Sequence, residues 1–179
     1  MDKRKYWVDY KGLIILILLT IHSLPFSGCK VVSYSFTGAS ISPEVKTVNV
    51  DYFQNLSSIV NPKLSNLITE ELKNRFVSQT SLNLVPSYGD LQFSGQITSY
   101  KVAPIAIQGN ETAARNRLSI TIRVKFLNTK EKKYDYEKSF TQYEDFDSNQ
   151  NFAQVEDGLV TLIVDKLVED IFVNAVANW

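Results

Sequence analysis

The stretch Arg117–Phe126 reads RLSITIRVKF and alternates apolar and polar residues without a break. Its apolar members are Leu118, Ile120, Ile122, Val124 and Phe126, and its polar members are Arg117, Ser119, Thr121, Arg123 and Lys125. Because successive side chains of a β-strand point to opposite faces, the pattern predicts a strand with one face in the core. A charged turn at 128–133 follows, and the aromatic stretch Tyr134–Phe146 predicts the returning strand of a hairpin.

Two more strands are predicted on the N-terminal side of this hairpin. Leu91–Tyr100 alternates, and its Gly95 marks a bulge or a place where a helix packs closely. Val45–Phe53 also alternates, and its predicted buried face carries Val48, Val50 and Tyr52.

Two segments have the spacing of helices. Asn61-Pro62 predicts a helix start, because Asn caps helices and Pro suits their first position, and we expect this helix at 62–78. A longer helix is expected at 151–177. Its apolar residues form a first row (Val155, Leu159, Ile163, Leu167, Ile171 and Ala175) and a second row (Val160, Val164, Val168, Phe172 and Val176).

The apolar arc of the last helix is wider than a helix lying on a sheet usually requires. One explanation is that the first helix packs against the second row. The other is that a partner protein covers part of this row, at Val160, Val164, Val168 and Phe172.

The order strand, helix, three strands, helix predicts an α+β fold. We expect a two-layer sandwich with two helices packed on one face of a four-stranded sheet. Residues 45–179 hold all of these elements and are expected to form a single domain.

Residues 1–28 have the organisation of a secretory signal peptide: basic residues, the apolar run Leu13–Leu19 and a small-residue end. The run is too short to span a bilayer as a helix. Cys29 follows Ser-Gly directly, which resembles a bacterial lipobox. We therefore expect cleavage before Cys29, acyl chains such as palmitate on the mature N-terminus, and a lipidated tether at 29–44. The alternative is an ordinary signal peptide that ends near a free thiol.

The composition of the mature chain excludes several function classes. The first 28 residues hold four of the 19 basic and two of the 19 acidic residues, which leaves 15 basic against 17 acidic. This balance gives no reason to expect nucleic-acid binding. The only His, His22, lies in the leader, so the mature chain lacks the parts of a Ser-His-Asp triad, a Cys-His pair or a His-based metal site. We expect no cofactor and no enzymatic activity.

Two clusters of charge remain as candidate sites. The acidic residues Glu144, Asp145 and Asp147 suggest a glycosidase or a calcium site, but they crowd one strand end without a glycine-centred loop, which favours a solvated loop. The basic row comprises Arg115, Arg117, Arg123 and Lys125.

The basic row has two interpretations. Arg and Lys side chains repeated along one strand face can hold separate phosphate groups through charge-assisted hydrogen bonds. Alternatively, the row is a solvated strand face whose cations pair with Asp135, Glu137 and Glu144 across the hairpin.

The chain resembles the LptE family of lipopolysaccharide-assembly lipoproteins, and its Bacteroidetes-type members most closely. The resemblance rests on the lipobox, Val31–Val50 (VVSYSFTGASISPEVKTVNV), Asn61–Phe76 (NPKLSNLITEELKNRF), Gly89–Ile97 (GDLQFSGQI), Arg117–Phe126 and the terminal acidic-apolar helix. It implies a lipoprotein that sits as a plug inside the LptD β-barrel of the outer membrane and helps lipopolysaccharide to reach the cell surface. The basic row is then a candidate lipopolysaccharide-binding site.

The residues after Cys29 predict the cell outer membrane, with the domain facing the periplasm. Lys30 stands where many inner-membrane lipoproteins carry Asp, and the segment lacks an acidic surface-export tag. A non-catalytic scaffolding lipoprotein of another envelope machine is the alternative function, because a small α+β fold does not fix function.

Overall fold

The computed structural model describes residues 41–105 and 114–176. In chain order they form strand β1 (Thr47–Val50), strand β2 (Gln54–Asn55), helix α1 (Leu64–Gln79), strand β3 (Asn83–Leu84), strand β4 (Leu91–Ile105), strand β5 (Arg115–Asn128), a 3-10 turn (Lys132–Tyr134), strand β6 (Tyr136–Asp147) and helix α2 (Phe152–Val176). The predicted α+β class with two helices is confirmed.

The prediction of a four-stranded sheet is wrong, because the described residues form six strands. The two strands that were missed, β2 and β3, have two residues each and are too short to show a period of two. The sheet is mixed. Its order is β3-β1-β4-β5-β6, with β1 parallel to β3 and β4, β2 continuing the parallel pairing on β4, and β4, β5 and β6 antiparallel.

The alternation of β5 is confirmed by burial. Leu118, Ile120, Ile122, Val124 and Phe126 are each 0% exposed. Aromatic rings then join the layers: Phe76 of α1 lies 4.9 Å from Phe93 of β4 and 5.1 Å from Phe172 of α2 between ring centroids. The core therefore sits between the helices and one face of the sheet.

The predicted alternation of residues 45–53 fails at its end. Pairing with β4 runs to Val50↔Phe93 and resumes at Gln54↔Gln96, so one strand has an extra residue. An extra residue in one strand exchanges the two faces. Tyr52, predicted to be buried, is 59% exposed, and Phe53 is fully buried instead.

Phe53 is held in place by the helix above it and the strand below it. Its N–H donates to the Thr69 hydroxyl of α1 at 3.1 Å. Its ring lies on Gly95 of β4, where a Cβ would overlap the ring. Gly95 therefore permits a close approach to β4, but the group that approaches is the side chain of Phe53, where the sequence predicted a bulge or a helix.

The first helix begins close to its predicted start. Asn61 Oδ1 accepts the Lys63 N–H at 3.0 Å, which is the capping bond expected of an Asn before Pro62. Asn61 also donates to Glu156 of α2 at 2.9 Å, and Glu156 accepts the Tyr100 hydroxyl at 2.5 Å. This cluster ties both helix starts to β4, and burial together with Glu156 raises the pKa of Tyr100.

The second apolar row of α2 is buried in the domain itself, and the first row is buried from Ile163 onward. Val160, Val164, Val168 and Phe172 are between 1% and 3% exposed. Phe172 contacts Phe76, so α1 does pack against the second row. The partner-interface interpretation of these four residues is therefore corrected: they belong to the core, and the arc is wide because α2 packs against both the sheet and α1.

The helices run in the same direction, with ion pairs along their shared edge. Lys63 lies 2.7 Å from Asp157, and Arg75 contacts both Asp165 and Glu169. These acidic residues of α2 therefore face α1 along the shared edge. Surface pairs of this kind contribute little to stability, so the apolar contacts hold the helices together.

Several predictions lie outside the described residues. These are the signal peptide at 1–28, acylation of Cys29, most of the tether at 29–44 and the end of the last helix at Ala177. Neither of the described helices is long and apolar enough to cross a membrane.

Asp90 joins β1 to the turn before β4. Its carboxylate accepts hydrogen bonds from the N–H groups of Lys46 (2.8 Å) and Thr47 (3.1 Å) and pairs with Lys130 at 3.0 Å. The Lys46 N–H is the largest cause of a pKa lowered to about 2. Gly89 lets the chains approach here, since a Cβ on it would lie 2.6 Å from the Asn49 nitrogen.

Val164→Asp tests the placement of the second row. We expect the free energy of unfolding to fall by roughly 3–5 kcal/mol, because the new carboxylate would be buried without a partner. Val173→Asp on the same helix is the matched control, since Val173 is 44% exposed. Urea unfolding of both variants measures the difference, and equal stabilities would contradict burial of the row.

Asp90→Asn tests the junction of β1 with β4. A carboxyl whose pKa is lower in the folded state stabilises that state above its unfolded pKa, near 3.9, and loses this effect as the pH falls toward 2. We expect the variant to be less stable than the parent by roughly 2 kcal/mol at pH 7, with the difference shrinking between about pH 4 and pH 2. Urea unfolding across this range measures it, with the exposed Glu44→Gln as control. A difference that is constant with pH would contradict a role for the charge.

Candidate functional site

The outer face of the sheet, opposite the helices, carries all four residues of the predicted basic row. Arg115, Arg117, Arg123 and Lys125 lie on β5, between β4 and β6. The register of these three strands therefore decides which groups surround each cation.

Arg117 is fully engaged by β6. Its Nε and Nη2 donate to the two carboxylate oxygens of Asp145 at 2.7 and 2.9 Å. Its guanidinium lies 3.6 Å from the centre of the Tyr143 ring. The hydrogen bonds from Arg117 lower the pKa of Asp145, and Asp145 raises the pKa of Arg117. Arg117 therefore fits the cross-strand interpretation better than the lipid-binding one.

The partner of Arg117 is not one of those predicted. Asp135 accepts the N–H of Asn128 at 2.7 Å, and Glu144 pairs with Lys166 of α2 at 2.5 Å. Asp145 lies directly opposite Arg117 in the antiparallel register. Two members of the acidic cluster are thus ion-paired on β6, and they do not form the solvated loop expected from the sequence.

Arg123 and Lys125 are two exposed cations of the row that lie close together. Within the described residues, neither forms an ion pair. Together they line an open groove of about 420 Å³, which we call the outer groove. Its remaining lining residues are Asp51, Tyr52, Gln54, Ser94, Gly95, Gln96 and Glu137.

The wall of the outer groove is built by the extra residue before β2. The face exchange that buries Phe53 leaves Asp51 and Tyr52 on the outside, beside Gln54. Gln54, Gln96 and Arg123 then form one row across three strands. The alternating pattern does not show this wall, because it places Tyr52 in the core. The adjacent Phe53 is the sign that the pattern is broken, since only one of two neighbouring aromatic residues on a strand can face inward.

Arg115 lies at the far end of β5 from this groove. It is exposed and pairs across the sheet with Ile105 and Asp147. At a rise of about 3.3 Å per residue, the eight steps along the strand from Arg115 to Arg123 span roughly 26 Å. The structure therefore divides the basic row: Arg123 and Lys125 line one groove, Arg117 is paired with Asp145, and Arg115 lies far from both.

The outer groove has the chemistry of a polar binding site. Arg123 and Lys125 stand two residues apart on one face, about 7 Å between backbone positions, which suits two anionic oxygens or one phosphate with a neighbouring acid. Asp51 also lines the groove, and Glu137 lies directly opposite Lys125 in the register of β5 and β6. These two carboxylates balance the charges of the two cations and offer acceptors for hydroxyl or ammonium groups. Residues 41–105 and 114–176 contain no cluster of three potential metal ligands.

Comparison with known proteins identifies one matching family model. The model of LptE, described as lipopolysaccharide-assembly, matches residues 45–174. None of the curated proteins compared with the chain matches it.

Several solved structures share a distant likeness to the chain. A minor lipoprotein from Acinetobacter baumannii is 13% identical, with 72% of this chain and 90% of that chain covered and a TM-score of 0.45. A hypothetical protein from Chlamydia trachomatis is 11% identical, with coverage of 75% and 98% and a TM-score of 0.46. A lipoprotein from Neisseria meningitidis is 11% identical, with coverage of 70% and 97% and a TM-score of 0.39. Likenesses this distant carry no information on function.

Proposed function

The chain belongs to the LptE family of lipopolysaccharide-assembly proteins, and we propose that it is an acylated outer-membrane lipoprotein that forms a plug-like complex with an LptD-type β-barrel. A role in lipopolysaccharide assembly follows from membership of the family. The family consists of non-catalytic lipoproteins, which agrees with the expectation that the chain is not an enzyme.

The lipobox-like sequence at Cys29 supports membrane anchoring. Cleavage before Cys29 would leave a mature chain of residues 29–179 whose N-terminus carries acyl chains, with residues 29–44 as a tether and the α+β domain after it. Two or more chains are needed for firm attachment, because a single chain binds a bilayer only marginally. Lys30 after the Cys favours the outer membrane with the domain in the periplasm.

The surface that contacts the β-barrel is not the second row of α2. Val160, Val164, Val168 and Phe172 are covered by the protein's own core, so a barrel cannot contact them without opening the domain. The exposed surfaces of the described domain are the outer face of the sheet, the turns at its ends and the solvent sides of the helices. A plug inside a barrel would present several of these surfaces to the barrel wall at once.

The proposal that the protein binds lipopolysaccharide is supported by the two exposed cations of the outer groove, Arg123 and Lys125. Lipopolysaccharide carries phosphates on a sugar backbone, and a groove with Arg, Lys, amide and hydroxyl groups offers donors to both parts. Arg117 is excluded from this role by its bond to Asp145, and Arg115 is too far away to act on the same group. The proposed contacts to the head group are therefore Arg123 and Lys125.

Cys29→Ser tests the anchor. We expect the variant to accumulate unprocessed or as a soluble periplasmic form, because the thiol that receives the first acyl group is gone. Fractionation of cells that express the parent and the variant measures the distribution, with a palmitate label as the readout of acylation. An unchanged outer-membrane fraction for the variant would contradict anchoring through Cys29.

Arg123→Glu/Lys125→Glu tests the head-group site. We expect binding of lipopolysaccharide to weaken at least about tenfold, equivalent to roughly 1.4 kcal/mol, and the loss to be largest at low salt, where screening is weakest. Titration of the purified protein at two salt concentrations measures this effect.

One matched control accompanies the groove variant. Lys101→Glu/Lys138→Glu changes the net charge equally but at exposed cations outside the groove, and it should bind as the parent does. Equal binding by the groove variant and the parent, at an unchanged melting temperature, would contradict the site.

A further inference from the structure

One turn of the domain exposes three branched aliphatic side chains together. Leu56, Ile59 and Val60, in the connection between β2 and α1, are 59%, 55% and 61% exposed. We call residues 56–60 the apolar turn. Single exposed apolar side chains are common on protein surfaces, but three within five residues form a patch, and such patches usually mark contact sites.

The apolar turn is held rigidly by hydrogen bonds at its start, middle and end. Leu56 donates its N–H to Ile97 of β4 at 2.9 Å. The buried Ser57 hydroxyl lies 2.5 Å from both Asn55 Oδ1 and the Ile59 carbonyl. Asn61 is fixed to Glu156 of α2. The three aliphatic side chains are therefore presented at little entropic cost to a ligand.

The carboxylates beside the turn are already engaged. Glu156 accepts hydrogen bonds from both Asn61 and Tyr100, and Asp157 pairs with Lys63 at 2.7 Å. These groups border a cavity of about 300 Å³ that Ile59 and Val60 also line. Their hydrogen bonds and ion pair reduce their repulsion of an anionic ligand.

Leu56, the first residue of the apolar turn, continues the wall of the outer groove. Gln54 lines the groove, and alternation along the extended segment places Leu56 on the same side, one strand repeat of about 7 Å further on. The row Gln54, Gln96, Arg123 shows that the cations lie two strands away, about 10 Å across the sheet. Leu56 therefore lies beside the cationic groove, whereas Ile59 and Val60 follow further along the turn, beside Glu156 and Asp157 at the start of α2.

We propose that the apolar turn contacts the acyl chains of the lipid whose phosphorylated head group lies in the outer groove. This inference rests on the proposed function and extends it by fixing the orientation of the lipid. The head group lies over Arg123 and Lys125, and the chains run toward Leu56, Ile59 and Val60.

The test combines two variants with two ligands. The turn variant is Leu56→Ser/Ile59→Ser/Val60→Ser, and the groove variant is Arg123→Glu/Lys125→Glu. Both are made in the full chain, which is purified in detergent and checked for an unchanged melting temperature. The ligands are purified lipopolysaccharide and the same material after its acyl chains are removed with alkali. Val77→Ser/Leu162→Ser is the control, since these side chains are 55% and 54% exposed on the helices.

The turn variant should bind intact lipopolysaccharide at least about tenfold more weakly than the parent and the deacylated ligand as well as the parent does. The groove variant should be weaker for both ligands, and the control variant should match the parent. If only the single variant Ile59→Ser folds like the parent, the same pattern is expected from it with a smaller loss.

Three outcomes would overturn the inference or its premise. If the groove variant is weak but the turn variant binds intact lipopolysaccharide normally, the acyl contact is wrong and the head-group site stands. If neither variant affects either ligand, the head-group site itself is wrong. If the turn variant binds both ligands normally but no longer co-purifies with a β-barrel, the turn is a protein contact, and the lipid inference is overturned.

Discussion

The ring of Phe53 packs against the backbone of Gly95, between the sheet and α1. This contact is possible because one strand carries an extra residue opposite β4, and because Gly95 has no side chain to collide with the ring. The face exchange that buries Phe53 turns Asp51 and Tyr52 outward. It also lets β2 resume pairing with β4 in the register that leads into the apolar turn. The outer groove, its wall and the neighbouring aliphatic patch all follow from that single insertion.

Much of the fold could be predicted from the sequence where a pattern is long and uninterrupted. The ten alternating residues of Arg117–Phe126 gave the orientation of β5, and Asn61-Pro62 gave the start of α1 within two residues. The two-residue strands could not be found, because two residues show no period. The sequence also could not show what covers the wide apolar arc of α2, because a partner protein and a neighbouring helix would both require the same pattern. The contact between Phe76 and Phe172 shows that α1 covers it.

The candidate site was predicted only in part, because charge pairing depends on strand register. Alternation placed all four basic side chains on the outer face, and the structure agrees. Which of them are paired is set by the 3-10 turn at Lys132–Tyr134, which brings Asp145 opposite Arg117. The sequence alone does not show how many residues that turn contains, so the register of β6 against β5 could not be predicted. The opposite wall of the groove could not be predicted for a second reason. An inserted residue exchanges the inward and outward faces of all residues that follow it in the strand.

The chain thus combines a two-layer domain that carries polar and apolar groups on its surface with an N-terminal sequence that resembles the leader and lipobox of a lipoprotein. The most direct test of this account is affinity purification of the full acylated chain from its native envelope in mild detergent, followed by mass spectrometry. The account predicts that one large β-barrel protein of the LptD type is recovered with the chain in near-equal amount. Recovery of the chain alone, or with another envelope assembly and no such barrel, would contradict it.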